Sequence, residues 1–187
     1  MKHTFISFVS FLLLGSVFAG DYTGLDAARA LSEENIIVDY STIAGNSELQ
    51  EASLYRLDAV LIRQEALGIA LKLKNITLPE EYLCMNYFGD TKEAWVCRAA
   101  EIAADNHIIT RVNTLFRPKD ALTVAEAIGI AVKTLNIPLS SSETSTINRS
   151  IPNWQKRLLL TLIENNITLT IENKVGLDSD MSKKITR

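Results

Sequence analysis

Apolar positions recur along this chain at helical spacing. Trp95, Ala99 and Ala103 stand at i, i+4 and i+8, Trp154, Leu158 and Leu162 repeat that stripe, and each stripe leads to an isoleucine, Ile108 or Ile167. Such spacing puts the apolar side chains on one face of a helix, so both segments predict amphipathic helices whose aromatic end faces a core. A longer pattern overlies this one. Residues 55–76 (YRLDAVLIRQEALGIALKLKNI) align without a gap on residues 116–137 (FRPKDALTVAEAIGIAVKTLNI), with Leu61/Leu122, Glu65/Glu126, Gly68/Gly129, Lys72/Lys133 and Asn75/Asn136 among the identical pairs. Upstream, residues 27–37 answer residues 99–109, with Tyr22 near the tryptophan position. The chain reads as repeated helix-loop-helix units, an architecture that stacks modules and usually binds rather than catalyses.

These patterns predict an all-α fold with helices over 26–34, 62–74, 91–106, 123–135 and 153–165. Asn35, His107 and Asn166 stand just before the recurring isoleucine. Asparagine and histidine tolerate a left-handed backbone well, so each of the three is expected to end its helix with φ > 0. That reading makes His107 a helix terminator ahead of a catalytic or metal-binding histidine. Thr123 followed by Glu126 before an apolar run predicts a capping box: the hydroxyl takes a backbone N–H, and the carboxylate reaches back to the threonine N–H. Thr123, Glu126 and, by alignment, Glu65 are thus structural residues first. Residues 78–86 and 138–152 read as linkers, the second polar enough to be flexible, and the Ser/Asn/Glu-rich stretch 41–53 reads as an exposed insertion.

The first 19 residues change the picture. Lys2 and His3 precede an apolar run from Phe5 to Leu14, and Val17-Phe18-Ala19 offers a small-residue cleavage site. This predicts a signal peptide over 1–19 and export, because the run is too short to cross a bilayer; no transmembrane segment is expected after cleavage. In an exported chain the only two cysteines, Cys84 and Cys97, are expected to form a disulfide. The net charge of −3 argues against nucleic acid as a partner. With two histidines in 187 residues, no Ser/His/Asp arrangement and no Gly-rich phosphate loop, the expectation is a non-enzyme without cofactor or metal. Asp178-Ser179-Asp180 lacks the glycine and closing glutamate of a calcium loop.

Phe88-Gly89-Asp90, Trp95, Ala99-Ala100, Ile108-Ile109, Phe116 with Pro118, and Leu122-Thr123 with Ala125-Glu126 together give the second unit the pattern of a known family. It resembles an S-layer homology domain. Arg63 and Glu65 carry the likeness in the first unit, and Ile185-Thr186-Arg187 in the third. The resemblance divides the chain into repeat 1 at 20–77, repeat 2 at 78–138 and a partial repeat 3 at 139–187. It implies a pseudo-threefold bundle at a bacterial cell surface, bound non-covalently to secondary cell-wall polysaccharide, often pyruvylated, in grooves between copies. Its implied ligand residues are Arg63, Arg187, Trp95, Trp154 and Asp90. Other surface-layer subunits are the alternative partners, through a structural protein–protein role without glycan binding. Two departures stand out: the motif arginine is Val124 in the second unit, and the motif threonine is Ile62 in the first. The third unit is expected to lack its second helix, so that either residues 139–187 are the loosest part of the chain or the natural protein continues past Arg187 with such a helix.

Overall fold

The computed structural model describes residues 24–37, 55–56, 59–147, 150–167, 170–171, 174–175, 181–182 and 184. The expected signal segment (1–19), the 41–53 stretch, Asp178 to Asp180 and Arg187 lie outside the described residues. The fold is all-α. Its helices are α1 (Gly24–Glu33), α2 (Arg63–Leu73), α3 (Ala94–Asp105), α4 (Val124–Thr134) and α5 (Asn153–Glu164). A one-turn 3-10 helix (Thr144–Thr146) precedes α5, and a two-residue antiparallel pair, β1 (Thr170–Ile171) and β2 (Lys174–Val175), follows it.

Helix ends follow local chemistry. At α4 the Thr123 hydroxyl accepts the Glu126 N–H at 3.2 Å while Glu126 Oε2 accepts the Thr123 N–H at 2.9 Å, a closed capping box. At α2 only half of the box exists: Glu65 Oε2 takes the Ile62 N–H at 3.3 Å, and Ile62 has no hydroxyl to answer. Asn35, His107 and Asn166 have φ of 58°, 59° and 54°, and Asn75 and Asn136 end α2 and α4 in the same way at 55° and 54°. The expected helix over 91–106 starts later, at Ala94. Thr91 is buried and donates its hydroxyl to the Phe88 carbonyl at 3.0 Å, which closes a turn in place of a helical start.

One apolar core runs through the helices. Leu61, Leu67, Leu71, Ile108, Leu122, Ile128 and Leu159 are fully buried within it. Helix α2 packs on α3 and α4, and α4 packs on α5. Phe88 and Phe116 meet at 5.8 Å between ring centroids, a tilted aromatic pair joining the lead-in loop of α3 to that of α4.

The segments ahead of the helices are stitched to each other in order. Residues before α2 pair with those before α4: Leu122 N–H reaches Leu61 O at 3.0 Å, Arg63 N–H reaches Asp120 O at 3.0 Å, and Gln64 N–H reaches Pro118 O at 3.1 Å. Residues before α4 pair in turn with 181–184: Ala125 N–H reaches Met181 O at 3.1 Å, and Thr123 bridges Lys184. The bonds from Arg63, Gln64 and Ala125 occupy amide donors that the first turn of a helix leaves without an internal partner.

Two expectations require correction. Residues 138–152 are polar as read, but the described part is anchored. Ser140 is buried, its N–H donates to Thr161 Oγ1 at 2.9 Å, and its hydroxyl donates to Glu164 Oε1 at 2.7 Å. Short serine side chains found partners on α5, so polarity here means hydrogen bonding rather than freedom. The tryptophans, read as the aromatic end of a core stripe, stand 37% (Trp95) and 51% (Trp154) exposed. Each is the second residue of its helix, where the neighbouring helices no longer cover it; the core face is taken by Val96, Ala99, Ala100 and Ala103 in α3 and by Leu158, Leu159 and Leu162 in α5.

Candidate functional site

A groove of about 530 Å³ opens between α4, α5 and the loop that follows α3. That size suits a sugar-sized ligand. Its floor is Gly129 and Ile130 of α4, with Leu158 of α5 beside them. Gly129 faces Leu158, and a β-carbon there would meet Leu158 Cδ1 at 3.8 Å, an ordinary van der Waals contact. Trp154 forms one wall as an exposed ring, and Arg63, Lys133 and Arg157 bring three cations against one acid, Glu126. In a chain of net charge −3, that concentration of positive charge is local and specific.

The three cations are not equivalent. Arg63 is held: its Nε donates to the Phe116 carbonyl at 2.8 Å, its Nη1 to Glu126 Oε1 at 2.8 Å, and its guanidinium lies 5.5 Å from the Phe116 ring centroid. Such fixation makes it a preorganised donor edge rather than a mobile charge. Glu126 is squeezed from both sides. Burial alone would raise its carboxyl, but the Thr123 N–H, the Arg63 guanidinium and the Thr123 hydroxyl together hold it below the usual glutamate range. Lys133 is the opposite case. Burial lowers its ammonium, and among the described residues nothing hydrogen-bonds or pairs with it. Its aligned counterpart Lys72 donates to the Asn35 carbonyl at 3.3 Å.

A second groove, of about 860 Å³, holds Trp95 with Gly68, Lys72, Asn35 and Leu78. It repeats the tryptophan, glycine and lysine of the first but lacks an arginine, and Glu34 offsets Lys72. The structure therefore brings Arg63 and Trp154 together and keeps Trp95 apart from both.

Asp90 lies elsewhere. Its two carboxylate oxygens accept the N–H groups of Phe116 (2.8 Å) and Arg117 (2.7 Å), which secures Arg117 at φ 58°. Both oxygens are thus occupied in shaping the turn ahead of α4. Cys84 and Cys97 form a disulfide, with α-carbons 6.2 Å apart. Beside it the fully buried Glu101 carboxylate accepts Met85 N–H at 2.8 Å, Tyr87 N–H at 2.9 Å and Tyr82 O–H at 3.2 Å.

Arg157 and Lys133 escaped the sequence reading. A signal existed for each: Arg157 follows Trp154 by three residues as Arg98 follows Trp95, and Lys133 is identical to Lys72 on helices whose cores need no lysine. No protein-family model and no curated protein matches the chain. No helix among the described residues is long and apolar enough to cross a membrane.

Proposed function

We propose that this chain is an exported, non-enzymatic cell-surface module that holds an anionic cell-wall polysaccharide in the groove between α4 and α5. The observation that carries the reading is the groove's composition: three cations, one of them paired with Glu126, line it beside an exposed tryptophan in an otherwise acidic protein. An indole face stacks on the apolar face of a sugar ring, and guanidinium groups take carboxylates bidentately. The resemblance to S-layer homology domains implies the same ligand class, pyruvylated polymers among them. The ordered pairing of residues 61–64 with 118–122, and of 123–125 with 181–184, supports a ring of three modules.

Sedimentation with purified cell-wall sacculi tests this. Arg157→Ala and Trp154→Ala remove groove contacts without touching the core, so each is expected to weaken retention at unchanged melting temperature. Full retention by both variants would overturn the reading. Arg63→Ala is a poorer first probe, because Arg63 also ties α2 to Phe116 and Glu126.

A second reading has its own observation. Leu83 (84% exposed) and Met85 stand out from the disulfide-tied loop, and Val112 (85% exposed) and Leu115 from the loop after α3. If the two loops present these side chains as one surface, a protein–protein contact would cover them. Sacculus retention unchanged in the groove variants, together with self-association lost by Leu83→Ser with Met85→Ser, would select it.

A further inference from the structure

The groove does not stop at Lys133. A recess of about 500 Å³ continues on its far side, walled by Asp105, His107 and Arg111, and it shares Ile109, Thr110 and Lys133 with the main groove. Granted the groove reading, on which this step depends, we propose that the recess is a second subsite and that the ligand is an anionic glycan chain of at least two charged units lying across Lys133.

The charges support a chain over a single sugar. Arg111 pairs with Asp105 and stacks on Tyr87 with its guanidinium carbon 3.7 Å from the ring centroid, so the arginine is fixed in place while half of its side chain stays exposed. The Asp105 charge is answered by Arg111, which leaves Lys133 and the exposed imidazole of His107 to meet an anion from outside. Lys133 is itself half-buried between the two recesses and has no internal partner among the described residues. An ammonium desolvated without a partner carries a standing cost. An acidic unit on either side relieves that cost, and one chain spanning the lysine places an acidic unit on each side.

Backbone geometry fits the same picture. His107 ends α3 at φ 59°, and the chain then runs through Ile108 to Thr110 as the ridge between the two recesses. A residue that only terminated the helix would need no ring. The aligned positions, Asn35 and Asn166, make the same turn with asparagine.

Calorimetry of the full chain decides it, with purified cell-wall polysaccharide cut enzymatically and sorted into single-repeat and multi-repeat fragments. Multi-repeat fragments are expected to bind about tenfold more tightly than single-repeat ones, the gain of one additional charge-assisted contact. Arg111→Gln and His107→Asn, the latter keeping the left-handed turn, are expected to erase that length advantage and leave single-repeat affinity unchanged. Lys133→Met is expected to weaken both. A length advantage absent from the wild type, or one surviving both substitutions, would overturn the second subsite and leave the main groove standing. Failure of every fragment to bind would remove the groove reading and this subsite with it.

Discussion

Arg63 Nη1 donates to Glu126 Oε1 at 2.8 Å, and this contact ties the start of α2 to the start of α4. The two residues come from different units of the sequence and stand two positions apart in the alignment: Arg63 occupies the position that is Val124 in the second unit. Val124 is fully buried, whereas Arg63 turns to the groove. The same backbone position therefore serves packing in one unit and charge in the other.

Acid should loosen this joint. The Glu126 carboxyl is held below its ordinary range in the folded chain, so the stabilisation is complete above the unfolded glutamate pKa and disappears as pH falls through the folded one. Glu126→Gln is expected to flatten that part of the stability-against-pH curve. A double-mutant cycle of Arg63→Met with Glu126→Gln should return a coupling of about 1 kcal/mol, because both side chains are mostly shielded from solvent. Thermal melts at a series of pH values between neutral and strongly acidic give both quantities.

Asp90 separates shaping a turn from touching a ligand. Asp90→Ala strands the Phe116 and Arg117 amides and is expected to cost roughly 1–3 kcal/mol of stability. Sacculus binding by the folded fraction should not change. Affinity lost at unchanged melting temperature would return Asp90 to the ligand surface, as the family resemblance implies.

The disulfide and Glu101 hold the same loop by different means. Replacing both cysteines by serine frees a loop of 13 residues' separation and is expected to cost about 3 kcal/mol on the chain-entropy estimate. Glu101→Gln keeps the shape but turns one acceptor into a donor facing backbone N–H groups, at roughly 1–3 kcal/mol. Chemical denaturation of each variant reads the effects. Proteolysis near Leu83 should speed up in both, and protection equal to wild type would show that some other contact secures the loop.

Gly68 offers a gain. Nothing lies within 4 Å of where its β-carbon would sit, and it occupies the middle of α2. Gly68→Ala is expected to stabilise the chain by about 1 kcal/mol through helix propensity and the smaller entropy of the unfolded state. Unchanged or lower stability by urea titration would show that the helix pays for a contact outside the protein's own packing.

The helices were legible because apolar spacing and capping chemistry are local; every expected helix is present, and the largest boundary error came from Thr91, a residue typical of caps that closes a turn here. The left-handed Asn and His positions were equally legible, since few residues other than glycine accept that backbone. The direction of Trp95 and Trp154 was not. Periodicity assigns a residue to a face of a helix, and whether that face is still covered at the first turn depends on the length of the neighbouring helix. The positive groove was hidden for a related reason: Arg63, Lys133 and Arg157 belong to three helices, and only their packing makes them neighbours.

The stitched segments ahead of the helices have a consequence for where this molecule can be cut. By alignment a unit runs from one linker to the next, yet the amides opening α2 are satisfied by carbonyls ahead of α4, and one opening α4 by the carbonyl of Met181. Sequence repeat and physical unit are out of phase. A fragment of residues 78–138 would leave raw edges on both sides: carbonyls that lost their donors at Pro118 and Asp120, and an amide that lost its acceptor at Ala125. Evolution can duplicate such a unit by copying DNA at the linkers, but each copy acquires a finished surface only when its neighbour is already beside it.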